Sequence, residues 1–79
     1  MFSQREEDIV KAIGRGKLTF KEIADKIFEH SYDRPFDDVI TVSNSVNRII
    51  KKCEKYMHPW TLTKSKKNGR IIIKKSRRQ

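Results

Sequence analysis

The side chains in this sequence that could do chemistry are amides and cations spaced regularly among apolar residues. From Val39 onward, Val42, Val46, Ile49, Ile50 and Cys53 recur on one side of a helical wheel. The opposite face carries Thr41, Asn44, Arg48, Lys51 and Lys55, with Ser45, Asn47 and Lys52 on its flanks. Such a face offers hydrogen bonds in its N-terminal half and positive charge in its C-terminal half. A second basic group, Lys64, Lys66, Lys67 and Arg70, surrounds Asn68-Gly69. Cations in this density hold polyanions.

Charge is divided unevenly along the chain. Residues 1–40 hold seven Lys/Arg against nine Asp/Glu, a net of −2, and residues 41–79 hold twelve against one, Glu54, a net of +11. Together they give the formal charge of +9. That imbalance costs stability through self-repulsion unless a polyanion neutralises it. Its regular alternation with apolar residues marks a folded basic surface, and nucleic acid is the first partner such a surface suggests.

Bond-making chemistry finds little support. No nucleophile–base pair is suggested by the spacing, and 79 residues leave little room for a pocket. His30 and His58 lack Cys or acidic neighbours at ligand spacing, and one cysteine cannot build a structural zinc site. Gly14-Arg15-Gly16-Lys17 lacks the spacing and the following Ser/Thr of a phosphate loop, and reads as a helix stop. No enzyme, metal or cofactor is expected.

The elements that must position these groups are legible from caps and periodicity. Ser3 with Glu6, and Thr19 with Glu22, are capping boxes opening two helices. Ile9, Val10 and Ile13 line the first, which stops at Gly14; Ile23, Ala24, Ile27 and Phe28 line the second. Lys17-Leu18 has room for a very short strand between them. Arg34-Pro35 disfavours helix at Arg34, and the third helix begins somewhere between Asp37 and Ser43. Ile40 points outward on its wheel, which favours a start after Ile40. His58-Pro59 ends that helix. Trp60–Lys64 then alternates with period two, Asn68-Gly69 is a two-residue hairpin turn, and Arg70–Lys74 returns. In this register Lys66 faces Ile71 and Lys64 faces Ile73, while Trp60, Leu62, Ile71 and Ile73 share one face. Trp60 is expected at the hairpin base and Cys53 in the core.

The order of capped helix, short strand, capped helix, polar-faced helix and basic hairpin resembles the winged helix-turn-helix superfamily. Val42–Ile50 looks like a recognition helix of that superfamily, and Trp60–Lys75 like its wing. One departure is the connection. A compact helix-turn-helix joins its helices through about three or four residues, and here about ten to twelve follow Phe28. The resemblance implies an α+β fold of three helices and a C-terminal β-hairpin, with residues 1–75 as one domain and 76–79 as a fraying basic tail. It implies base reading in the major groove by Thr41, Ser43, Asn44, Ser45, Asn47 and Arg48, Asn being suited to adenine and Arg to guanine. Backbone and wing contacts would come from Lys51, Lys52, Lys55, Lys64, Lys66, Lys67, Asn68 and Arg70.

The expected function is sequence-specific binding of double-stranded DNA by a small transcription regulator, of the stand-alone kind familiar in phage, viral and archaeal regulation. The alternatives are an architectural DNA binder and a protein-interaction winged helix within a larger nucleic-acid machine. A homodimer, or a protein partner in transcription or replication, fits the same surface, with Tyr32, Phe36 and Tyr56 as exposed aromatic candidates. Lone Cys53 fits a reducing cytoplasm, or a nucleoid or nuclear location with DNA; the polar N-terminus lacks a secretory pattern, and Ile71–Ile73 is far too short for a membrane span.

Overall fold

Each of the first two helices starts where a hydroxyl and a glutamate exchange bonds across the first turn. A computed structural model describes residues 2–29 and 32–77. In α1 (Gln4–Ile13) the Ser3 hydroxyl accepts from the Glu6 amide and the Glu6 carboxylate accepts from the Ser3 amide, at 3.2 and 2.7 Å. Gly14, with φ +53°, closes that helix. β1 (Lys17–Thr19) runs directly into α2 (Phe20–Ile27), so Thr19 ends the strand and caps the helix through its own box with Glu22.

Residues 29–37 join α2 to α3 (Asp38–Lys55), slightly fewer than expected because α3 begins at Asp38. The expected start after Ile40 is therefore corrected: Ile40 lies within the helix and is still 58% exposed. Arg34 braces the connection, donating to Asp25 on α2 at 2.7 Å and to Asp38 at the head of α3. Asp25 and then Asp38 raise the Arg34 pKa, and the guanidinium holds the Asp38 carboxyl below its usual value. At its far end α3 closes with the His58 amide on the Cys53 carbonyl and the Met57 amide on the Glu54 carbonyl. This is a Schellman closure, and Met57 occupies its left-handed position at φ +54° where glycine is usual. Pro59 then prevents any continuation.

β2 (Trp60–Lys67) and β3 (Arg70–Arg77) form the hairpin. Asn68 and Gly69 have φ of +54° and +77°, which the right-handed twist of the strands favours in a two-residue turn. The register is the expected one, Lys66 opposite Ile71 and Lys64 opposite Ile73. β1 pairs antiparallel with the other edge of β3, giving a three-stranded sheet ordered β1-β3-β2. The fold is thus α+β, three helices against a small antiparallel sheet.

Two expectations about the hairpin change. Fraying was expected in the tail, yet Ser76 and Arg77 pair with Thr61 and Trp60, because β2 is long enough to give them ladder partners. Arg78 and Gln79 lie outside the described residues. Ile71 shares a face with Leu62 and Ile73 by strand parity but is 44% exposed, since it sits near the turn beyond the helices.

The core joins one stripe from each element: Ile9 and Ile13, Ile23, Ala24 and Phe28, Val42, Val46, Ile49 and Cys53, then Leu62 and Ile73. Ile73 lies on the central strand between Leu18 and Lys64, fully buried. Val39, expected on the α3 stripe, is 39% exposed, because it lies in the helix's first turn beyond the packed part of that stripe. Trp60 is half-buried against the core, its ring 5.8 Å from those of Phe2 and His58.

Replacing Gly69 with Val tests the turn. Nothing lies within 4 Å of an added Cβ, so the whole cost is backbone strain at positive φ, about 1–3 kcal/mol. The thermal midpoint should fall by about 5–20 °C with helical circular dichroism unchanged before the transition. An unshifted midpoint would show that the turn is not held in this conformation.

Candidate nucleic-acid interface

Burial of Val42, Val46, Ile49 and Cys53 turns the opposite side of α3 to solvent, and that side is where most of the expected reading groups stand. Asn44, Arg48, Lys51 and Lys55 are exposed there. Thr41 and Ser43 are half-buried on the two flanks. Asn47 is also half-buried, because the Lys64 ammonium donates to its side-chain oxygen at 2.7 Å. This bond crosses from α3 to β2 and sets the basic hairpin beside the polar helix face.

Two expected contact residues are engaged within the domain, Ser45 by burial and Lys52, still 32% exposed, by an ion pair. Ser45 is fully buried, so it cannot reach a base; its hydroxyl accepts from the Arg48 guanidinium at 3.0 Å. Lys52 lies 2.6 Å from Glu6 and 5.7 Å from the Phe2 ring centre, so its charge is directed inward and not to a phosphate. Both corrections have one cause. They sit on the flank of α3 that meets α1, and a helical wheel drawn for α3 alone cannot show that flank to be covered.

Glu6, expected only as a capping residue, also joins the α3 network. It is 1% exposed and its first carboxylate oxygen takes both the Ser3 amide and the Lys52 ammonium. Its second oxygen has no hydrogen-bond partner among the described residues and faces the Arg48 Nε at 3.8 Å. Burial alone would raise the pKa of this carboxyl. The Lys52 ammonium and the two bonds with Ser3 outweigh it and hold the group ionised below the usual carboxylate value. The capping spacing marked Glu6 as a local feature, and nothing in the sequence pointed across to α3. Arg48, held by Ser45 and Glu6, keeps a side chain 58% exposed, so its remaining donors are presented from a fixed base.

On the hairpin, Lys64, Lys66, Lys67, Asn68 and Arg70 are all exposed. Strand alternation divides them. Lys64 and Lys66 share the face of Leu62 and look toward α3, while Lys67 and Arg70 share the outer face with Ile72 and Lys74. Arg70 lies near Glu22 of α2, where its charge helps hold the carboxyl low after the two larger contributions from Thr19. Lys75 sits 4.7 Å over the Trp60 ring, and this ring belongs to the hairpin base.

The assembled groups donate hydrogen bonds and carry positive charge. Among the described residues no three His, Cys, Asp or Glu side chains gather as a metal site, and no helix is long and apolar enough to cross a membrane. Tyr32 and Phe36 are fully exposed and Tyr56 is half-exposed. Compared with family models, curated proteins and solved structures, the chain matches none.

Glu6→Gln isolates the charge in this network, since glutamine can still complete the capping box. The variant should be less stable at neutral pH by about 2 kcal/mol, the scale of a hydrogen bond to a charged group. Because the native carboxyl titrates below its ordinary 4.5, the unfolded chain takes up the proton first as pH falls. The wild-type advantage should therefore be complete above about pH 4.5 and vanish as pH drops through the native value. Denaturant titrations of both proteins between pH 7 and pH 3 measure this directly. A gap that persists at low pH would locate the stabilisation outside the carboxylate's charge.

Proposed function

We propose that this protein is a winged helix-turn-helix that binds double-stranded DNA sequence-specifically and works as a small transcription regulator. In this reading α2 and α3 form the helix pair, α3 enters the major groove, and β2–β3 is the wing. The observation that carries the reading is the Lys64–Asn47 bond. It makes the amide-bearing face of α3 and the cationic hairpin one surface, so a duplex lying on either meets both. The element order and the sheet order β1-β3-β2 agree with that layout.

The reading residues on this surface are Asn44, Asn47 and Arg48, supported by Thr41 and Ser43. Lys51 and Lys55 continue the same face toward phosphates, and Lys64, Lys66, Lys67, Asn68 and Arg70 provide the wing. A single domain covers one half-site, so two copies on a two-fold site would supply the usual affinity. Occupying such a site, or recruiting a transcription or replication protein to it, would be the regulatory act.

With Lys52 turned inward, about four to six phosphates remain within reach of the free cations. The slope of log K against log salt should then be roughly −3.6 to −5.4. Fluorescence anisotropy with a labelled duplex, from low to moderate salt, gives that slope. Absence of binding at low salt would end the nucleic-acid reading.

Reading and holding should separate by mutation. Asn44→Ala and Arg48→Ala should each cost about 1–3 kcal/mol on a selected site and relax its base preference. Lys66→Ala should weaken all duplexes nearly equally and make the salt slope shallower by about one. Uniform loss in all three variants would favour an architectural binder that reads only backbone.

A further inference from the structure

We propose that Ile40 and Asn44 act as one unit that reads a thymine and a nearby adenine in the major groove, Ile40 packing on the thymine methyl group and Asn44 bonding the adenine. This deepens the duplex-binding reading above and rests on it.

Ile40 is conspicuous among the aliphatic residues of α3. Val42, Val46 and Ile49 are fully buried and Ile50 packs against the core, whereas Ile40 is 58% exposed. Its place is set by helix geometry. Residues 40, 44, 47 and 51 follow one another at intervals of four, three and four, so Ile40 stands on the same face as Asn44, Asn47 and Lys51. That face carries positive charge further along, at Lys51 and Lys55, and Lys64 joins it from the hairpin at Asn47. Ile40's own turn carries Asp37 and Asp38, the latter paired with Arg34, so the face meets phosphates through the cations further along it. On a duplex, the apolar group available at a major-groove base edge is the thymine methyl. Cytosine or guanine opposite Ile40 would leave polar edges desolvated against an aliphatic side chain.

The two asparagines are not equivalent partners for Ile40. Lys64 can only donate, so its bond to Asn47 takes one lone pair of the amide oxygen and ties that side chain to the hairpin. Among the described residues no group bonds the Asn44 side chain, which keeps one acceptor and two donors free. Adenine requires both at once, accepting at N7 and donating from N6. Asn44, unengaged by the hairpin, is therefore the amide free to turn both groups toward adenine. Four residues of helix separate it from Ile40 by about 6 Å along the axis, close to two base-pair steps. The expected site holds a thymine and an adenine within two steps of each other.

Deoxyuridine deletes the methyl group and leaves base pairing intact, so it tests Ile40 directly. Selection from random duplexes with the full chain supplies a preferred site, in which each thymine is then replaced singly by deoxyuridine. At one position the wild-type protein should bind about fourfold more weakly, the effect of one buried methyl group. Ile40→Ala should show no thymine–uracil difference at that position, with unchanged circular dichroism. Asn44→Ala should lose the preference for adenine within two steps of it. An enriched site in which every thymine tolerates replacement, or an Ile40→Ala variant that keeps the wild-type ratio, overturns this inference and leaves duplex reading intact. No binding at low salt, or binding without any enriched sequence, instead removes the sequence-specific reading and this inference with it. If Ile40→Ala changes sedimentation of the free protein and not the thymine–uracil ratio, the face is a contact between copies, and the inference is again overturned.

Discussion

A carboxylate that loses nearly all contact with water must be matched by donors, and Glu6 is matched from two directions. Its own helix supplies the Ser3 amide, and α3 supplies Lys52, with Arg48 close to the remaining oxygen. The first bond is local and settles where α1 begins. The second spans the domain and settles how α3 lies against α1. In a chain with a net charge of +9, this acid also neutralises cations at the point where α1 meets the cationic helix. Arg48 gains orientation from the same group. A guanidinium steadied by Ser45 and Glu6 loses less conformational entropy when it bonds a partner than one free in solvent.

The remaining positive charge stays outside, where water screens it. Lys51, Lys55, Lys66 and Lys67 are exposed, and the edge strand β2 is lined with several of these charges. Charged residues on a sheet edge discourage pairing with another chain's strand. The same charges suit a phosphate backbone, so protection of the edge and attraction of a polyanion come from one set of side chains. Core packing of Leu62 and Ile73 against α3 fixes the hairpin beside the helix face, and the Lys64–Asn47 bond links the two at the surface. Arg34 does a comparable service at the other end of α3, holding the long connection to both helices that it joins.

Much of the fold was legible because it is built from short-range physics. Ser3 with Glu6 and Thr19 with Glu22 interact across three residues, and the exchange of bonds needs only the local chain. Asn68-Gly69 placed the turn, and the turn alone determined the register of eight paired positions in each strand. Apolar periodicity located the core residues of all three helices. The limits of the same reasoning appear at Ser45, Lys52, Val39 and Ile71. Each was assigned from the periodicity of its own element, and each changes character because of which neighbour does or does not cover it.

By itself the sequence determined the caps, the hairpin register, the inward stripes and the concentration of positive charge after residue 40, since these depend on intervals of two to four residues. Tertiary structure alone decided which polar groups of α3 remain available. Glu6 and Lys52 are 46 positions apart, and Asn47 and Lys64 are 17 apart, so no local pattern announces either contact. Packing of the domain buries Ser45, α1 claims Lys52 through Glu6, and the hairpin engages the Asn47 oxygen. Ile40, Asn44, Arg48, Lys51 and Lys55 are among the side chains left facing solvent. The reason is geometric: a helical wheel assigns direction, and only packing decides which directions are occupied.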